Sequence, residues 1–177
     1  MKIFLVGYMG SGKSTIASVL ANLLDMEAID TDVWIEQKYG RSIPNIFEVD
    51  GEEKFREMER ICLESILKSK GDLLVATGGG LPCFSDNMHF INDHAISVYL
   101  MVSIKDIVDR IKGSKRPLVV NRTKKSLTAY VRNHLGTRRQ YYQQAHIKVW
   151  NTDTPEKVAE RIIKKIKRSR SFRKIEG

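Results

Sequence analysis

Gly7-Tyr8-Met9-Gly10-Ser11-Gly12-Lys13-Ser14 constrains this chain more than any other stretch. It satisfies the pattern G-x-x-x-x-G-K-[ST], directly after the apolar run Ile3-Phe4-Leu5-Val6 and at the head of a helical pattern. Backbone N–H groups of such a turn, together with the helix N-terminus, can cradle phosphate. Lys13 can reach the β and γ oxygens, and the Ser14 hydroxyl can ligate Mg²⁺. A chance glycine turn would lack the strand before it and the helix after it. The context therefore predicts a nucleoside triphosphate site, with Lys13 exposed to the ligand.

The rest of the chain continues the alternation that begins there. Strands are predicted at 2–6, 27–30, 73–76, 95–101 and 146–150, and helices at 13–24, 32–39, 51–68, 85–92, 104–112, 124–144 and 155–167. Phe55, Met58, Ile61, Cys62 and Ile66 form the apolar side of the third helix, and Val158, Ile162, Ile163 and Ile166 that of the last. Strands alternating with helices predict a three-layer α/β/α sandwich around a five-stranded parallel sheet, with its site beyond the carboxyl ends of the strands. At 177 residues the chain is long enough for one domain with a real core.

Composition removes several classes. The apolar runs are too short to cross a bilayer and Lys13 interrupts any leader-like stretch, so neither export nor membrane insertion is expected and the location is read as cytoplasmic. Cys62 and Cys83 have no CxxC partner, which excludes a disulfide framework or a zinc knuckle. The net charge of +9 is uneven: residues 1–109 carry 10 Lys/Arg against 17 Asp/Glu, whereas 110–139 carry 10 Lys/Arg and no acid. Residues 164–177 add seven basic residues against Glu176. A basic terminus is ordinarily solvated. The internal segment has its few aromatic residues, Tyr130, Tyr141 and Tyr142, near or just beyond its end, which weakens a base-stacking role.

Three further features carry chemistry. Asp30-Thr31-Asp32 closes the second strand and puts two carboxylates on one face if the strand persists. One could help hold a metal's water shell and the other accept a proton during phosphoryl transfer, while an Asx turn with Asp32 as a helix cap competes with that reading. Gly78-Gly79-Gly80 after the third strand allows backbone to approach a ligand closely. Arg56, in an acidic stretch, would by itself be assigned to a surface ion pair.

Together these features resemble the shikimate kinases, over nearly the whole chain. The resemblance is carried by GYMGSGKST at 7–15, IDTD at 29–32, SIPNIFEVDGEEKFREME at 42–59, TGGG at 77–80, RP at 116–117 and RRQYY at 138–142. It implies transfer of the ATP γ-phosphoryl group to the 3-hydroxyl of shikimate, on the route to chorismate and the aromatic amino acids. It implies Lys13, Asp32 and Arg116 as catalytic groups, and Asp32, Arg56, Gly79, Arg138, Phe47 and Phe55 around shikimate. Gly10, Ser11, Gly12, Lys13, Ser14, Thr15, Arg110 and Arg116 would meet ATP, and Ser14 and Asp30 would hold Mg²⁺. The family usually shows R-x-P-x-Y where this chain has Arg138-Arg139-Gln140-Tyr141-Tyr142, and spacing to Tyr142 selects Arg138.

The acid-free segment then becomes a mobile lid, about 112–124, inside a kinase domain of residues 1–168, followed by a flexible basic tail at 169–177. ATP and shikimate are the expected partners of a monomer, with no specific nucleic acid and no membrane. Two alternatives remain at this point: another small P-loop kinase acting on gluconate or a nucleoside monophosphate, and a nucleotide-dependent RNA-binding protein using the basic segments.

Overall fold

The computed structural model describes residues 1–112 and 123–173. Among these, strands β1 (Lys2–Val6), β2 (Glu27–Asp30), β3 (Leu73–Ala76), β4 (Ile96–Met101) and β5 (Ile147–Trp150) form one parallel sheet in the order β2-β3-β1-β4-β5. The helices are α1 (Lys13–Leu24), α2 (Thr31–Tyr39), α3 (Ile43–Val49), α4 (Gly51–Lys68), α5 (Asn87–His94), α6 (Ile104–Ile111), α7 (Lys124–Tyr142) and α8 (Pro155–Arg173).

β1 shows why the sequence makes three layers. Its Ile3, Phe4, Leu5 and Val6 are completely buried, because a central strand is covered on both faces and has no polar side to present. Ile3 and Leu5 pack with Ile16 and Leu20 of α1 and Val158 and Ile162 of α8. Phe4 points the other way, into Ile35, Ile46, Phe55, Cys62 and Leu63. Val6 joins Tyr8, Tyr99, Val108 and Val131, beneath α6 and α7. Registers such as Leu5 opposite Ala76 and Val6 opposite Tyr99 bring the carboxyl ends of β3, β1 and β4 to one edge. The chain turns to opposite sides of β1 there, which is where an open α/β sheet forms its crevice.

The sheet and most helices fall where the sequence puts them, with four differences. α3 is an additional short helix, capped by the Ser42 side chain accepting from the Asn45 N–H and with Pro44 in its first turn. Ile61 on α4 is exposed, and the acidic Glu59 is buried instead. β2 does not persist through Asp32: it ends at Asp30, whose carboxylate caps α2 by accepting from the Asp32 N–H at 3.0 Å. The cap is therefore Asp30 and not Asp32, and the two carboxylates do not share a strand face. Finally, α8 keeps its buried stripe only to Ile166 but runs on to Arg173, past the expected boundary at 168; residues 174–177 lie outside the described residues.

No helix among the described residues is long and apolar enough to cross a membrane. Cys62 and Cys83 are free thiols, the first buried and the second partly so.

Candidate functional site

The loop between β1 and α1 is shaped by its own backbone and pinned from two sides. Gly12 stands at the start of α1 with φ +88°, a left-handed conformation that a side chain would strain, and an added Cβ would lie 2.6 Å from Asn151 Nδ2. Asn151, just beyond β5 and buried, donates from Nδ2 to the Ser11 carbonyl at 2.8 Å. The Arg110 guanidinium donates to the Gly10 carbonyl at 3.3 Å and to the Asn151 carbonyl at 3.4 Å, joining α6, the loop and the end of β5.

Lys13 is not the exposed side chain expected from its position. It is buried, its Nζ donating to the Gly7 carbonyl at 2.9 Å and the Tyr8 carbonyl at 3.0 Å. Ser14 and Thr15, by contrast, are exposed. Ser14 Oγ donates to Asp30 Oδ2 at 2.8 Å, so a hydroxyl and a carboxylate stand side by side at the sheet edge. Hard oxygen donors of this kind suit Mg²⁺, which takes only one or two protein ligands when phosphate oxygens and water supply the rest.

Across a single backbone layer lies the glycine turn. An added Cβ on Gly79 would meet the Met9 N–H nitrogen at 3.3 Å and the Gly7 carbonyl at 3.7 Å. Thr31 Oγ1 accepts from the Gly78 N–H at 2.7 Å, and Tyr142 at the end of α7 donates its hydroxyl to the Gly79 carbonyl at 2.6 Å. Asp32 Oδ1 bears directly on Gly78, with Glu59 Oε1 3.4 Å from where a Cβ would be. Only glycine leaves room for both carboxylates.

Glu59 links this turn to Arg56. It accepts from Arg56 Nη1 at 2.5 Å, while Glu52 accepts from Nη2 at 2.9 Å. Burial pushes the Glu59 carboxyl up to about 7, partly offset by the charge and hydrogen bond of Arg56. Arg56 Nε is buried with no hydrogen-bond partner, so this guanidinium keeps one N–H unsatisfied. Its Cζ lies 3.6 Å from the centre of the Phe84 ring, 5.1 Å from Phe55 and 6.0 Å from Phe47. Phe55 is buried and Phe47 partly exposed, with ring centres 4.5 Å apart.

α7 closes the far side. Arg138 is partly buried, and its charge acts on Glu59, Cys83, Tyr8 and Tyr142; Arg139 is exposed and acts on Tyr99. The two arginines therefore face different surroundings, and it is the charge of Arg138 that reaches Arg56's partner Glu59. One turn earlier, His134 Nδ1 meets the Tyr8 hydroxyl at 2.9 Å, tying α7 to the phosphate loop. Burial, then the charge of Arg138, holds the His134 imidazole below its usual range.

Thus Asp32, Arg56, Gly79, Arg138, Phe47 and Phe55 surround one region, and Gly10, Ser11, Gly12, Lys13, Ser14, Asp30 and Arg110 an adjoining one. Arg116 and the body of the lid expected at 112–124 lie outside the described residues. Sequence reasoning missed Glu59, Phe84, Tyr8, His134 and Asn151. Glu59 had a signal in its i,i+3 spacing from Arg56 on one helix; the other four meet their partners only through the fold.

A strand–glycine loop–helix unit at the carboxyl edge of a 2-3-1-4-5 parallel sheet defines a P-loop kinase fold. A family model described as shikimate kinase matches residues 9–167. A shikimate kinase of Parabacteroides distasonis is 41% identical over 148 residues, covering 82% of this chain and 85% of that protein. The crystal structure of shikimate kinase from Bacteroides thetaiotaomicron superposes with a TM-score of 0.88 at 31% identity, over 94% of this chain and 98% of that one. Shikimate kinase from Acinetobacter baumannii, in complex with shikimate, gives 0.87 at 34% identity over 95% and 93%. The chain belongs to the shikimate kinase family.

Proposed function

We propose that this protein transfers the γ-phosphoryl group of ATP to the 3-hydroxyl of shikimate, giving shikimate 3-phosphate and ADP. The observation that carries the reading is the convergence of Asp32, Glu59 and Arg56 on the Gly78–Gly80 turn, one backbone layer from the phosphate loop. A planar carboxylate acceptor suits that turn, because Arg56 and Arg138 supply guanidinium groups and Arg56 keeps an unpaired buried N–H.

In the reaction, the bond between the β–γ bridging oxygen and the γ-phosphorus breaks while the acceptor oxygen bonds to phosphorus, and the acceptor's hydroxyl proton goes to Asp32. Lys13 leaves the Gly7 and Tyr8 carbonyls to meet the β and γ oxygens. The amides of Gly10 through Thr15 cradle the phosphates, and Arg110 borders the base. Arg116 is assigned to the phosphates by resemblance. Arg56, Arg138 and the Gly79 backbone orient the acceptor between Phe47 and Phe55, so the work is done by positioning and by charge placed in advance. Ser14 and Asp30 would hold Mg²⁺, which when bound supplies charge neutralisation on the phosphates.

The partners are ATP and shikimate; we read the chain as a cytoplasmic monomer, a kinase domain of residues 1–168 with a short basic extension. A coupled ADP-release assay across shikimate, gluconate and nucleoside monophosphates tests the reading. Turnover is expected with shikimate, and a preference for either of the others would overturn it.

A further inference from the structure

The Arg56 guanidinium is held at its edges by two carboxylates, but its flat face is occupied by a residue that no motif singled out. Phe84 stacks on it with 3.6 Å from Cζ to the ring centre, much closer than Phe55 or Phe47. Gly80 and Phe84 lie at the two ends of one 3-10 turn, Leu81–Cys83, and both bear on the same group: a Cβ on Gly80 would stand 2.8 Å from Nη1. The turn is itself fixed. The Cys83 N–H donates to the Gly80 carbonyl at 2.8 Å, the buried Asn87 side chain donates to the Leu81 carbonyl at 2.9 Å, and the Asn87 N–H meets the Phe84 carbonyl at 3.3 Å.

Edge hydrogen bonds fix a guanidinium's plane only as firmly as their acceptors are themselves held. Glu52 is well exposed and holds only one corner, and Glu59 holds another on the same helix. A cation over an aromatic face is attracted by the ring quadrupole, and a planar guanidinium can also stack on it. We propose that Phe84 is a positioning residue for the acceptor: by stacking on Arg56 it presents the guanidinium edge in the orientation a carboxylate needs, and so sets affinity for anionic acceptors. The ring need not touch the acceptor to do this. It removes rotational freedom that the arginine would otherwise lose on binding.

This inference rests on the shikimate reading, and the experiment separates the two. Wild-type turnover of shikimate tests the reading; a double-mutant cycle tests Phe84. Phe84→Leu is expected to raise the shikimate KM about fivefold, with kcat and the ATP KM changing less than twofold, and Phe84→Tyr or Phe84→Trp to stay within twofold of wild type. In an Arg56→Lys background the same Phe84→Leu change should add less than twofold, because no planar group remains to be oriented. With the methyl ester of shikimate, which carries no carboxylate charge, the Phe84→Leu penalty should disappear. Additive effects in the cycle, an equal penalty on the ester, or parallel rises in both KM values would overturn the proposal, as would wild-type kinetics in Phe84→Leu. If Phe84→Leu fails to fold by circular dichroism, Phe84→Met serves in the same cycle, with the same outcomes deciding.

Discussion

The two halves of the crevice are built on opposite plans. On the nucleotide side the cradle itself is backbone: the loop from Gly7 to Ser14 is one contiguous stretch, and its one cation, Lys13, rests on the loop's own carbonyls. On the acceptor side nearly everything is side chain, contributed by α2, α3, α4 and α7 around the glycine turn, with charges already paired as Arg56 with Glu52 and Glu59. A backbone cradle recognises what all nucleoside triphosphates share. Side chains gathered from four segments can select one small molecule, but each needs a neighbour to hold it.

The comparison predicts unequal sensitivities. Lys13→Ala removes the only charge inside the loop's backbone cradle, and turnover is expected to fall on the order of a thousandfold. A steady-state assay at saturating ATP checks this, and wild-type-like rates would break the nucleotide half. Asp32→Asn keeps shape but cannot take a proton, so turnover is expected to fall on the order of a hundredfold while ATP affinity by titration calorimetry stays within about twofold. Equal losses in both would move Asp32 to the nucleotide side.

Affinity changes should be smaller. Arg56→Lys loses paired hydrogen bonds to a carboxylate and is expected to raise the shikimate KM about tenfold, equivalent to about 1.4 kcal/mol, with the ATP KM little changed. Arg138→Lys should behave alike and Arg139→Lys should not, because Arg138 acts on Glu59 while Arg139 is exposed. A larger defect at Arg139 would shift the acceptor side by one residue on α7.

The smallest effect is a pH slope. With its folded value raised to about 7 by burial, Glu59 keeps a proton that the unfolded chain releases near its ordinary value. Stability should therefore fall as pH rises from about 4.5 to about 7 and level off above, since the native state binds more protons in that window. Denaturant midpoints measured from pH 5 to 8 should show a shallower fall in Glu59→Gln. An unchanged slope would mean that the acceptor-side charges do not set it.

The same contrast explains what could be read without coordinates. The phosphate loop was legible because all its parts are consecutive, and the central strand because four fully buried apolar residues have one plausible use. α3 was not, since seven residues from Ile43 to Val49 are too few to establish a helical period. The length of α8 was also obscured, because its apolar stripe stops at Ile166 while Lys, Arg and Ser continue the helix with no breaker. The cap of α2 falls on Asp30, not on Asp32, because one residue decides where a strand gives way to a helix. Arg56 and Phe84 are far apart in sequence, and only the turn after β3 brings a ring onto the guanidinium.

The bond from Asn151 to the Ser11 carbonyl spans 140 residues. During synthesis, then, the phosphate loop leaves the ribosome well before the residue that completes it. β1 must wait for β3 and β4 to flank it, and the loop above it for the residue that follows β5. Such long-range closure makes the site a late product of folding. In refolding, nucleotide binding is expected to appear with the final rise of sheet signal and not with the early helical one, so a partly folded chain carries the motif without the activity.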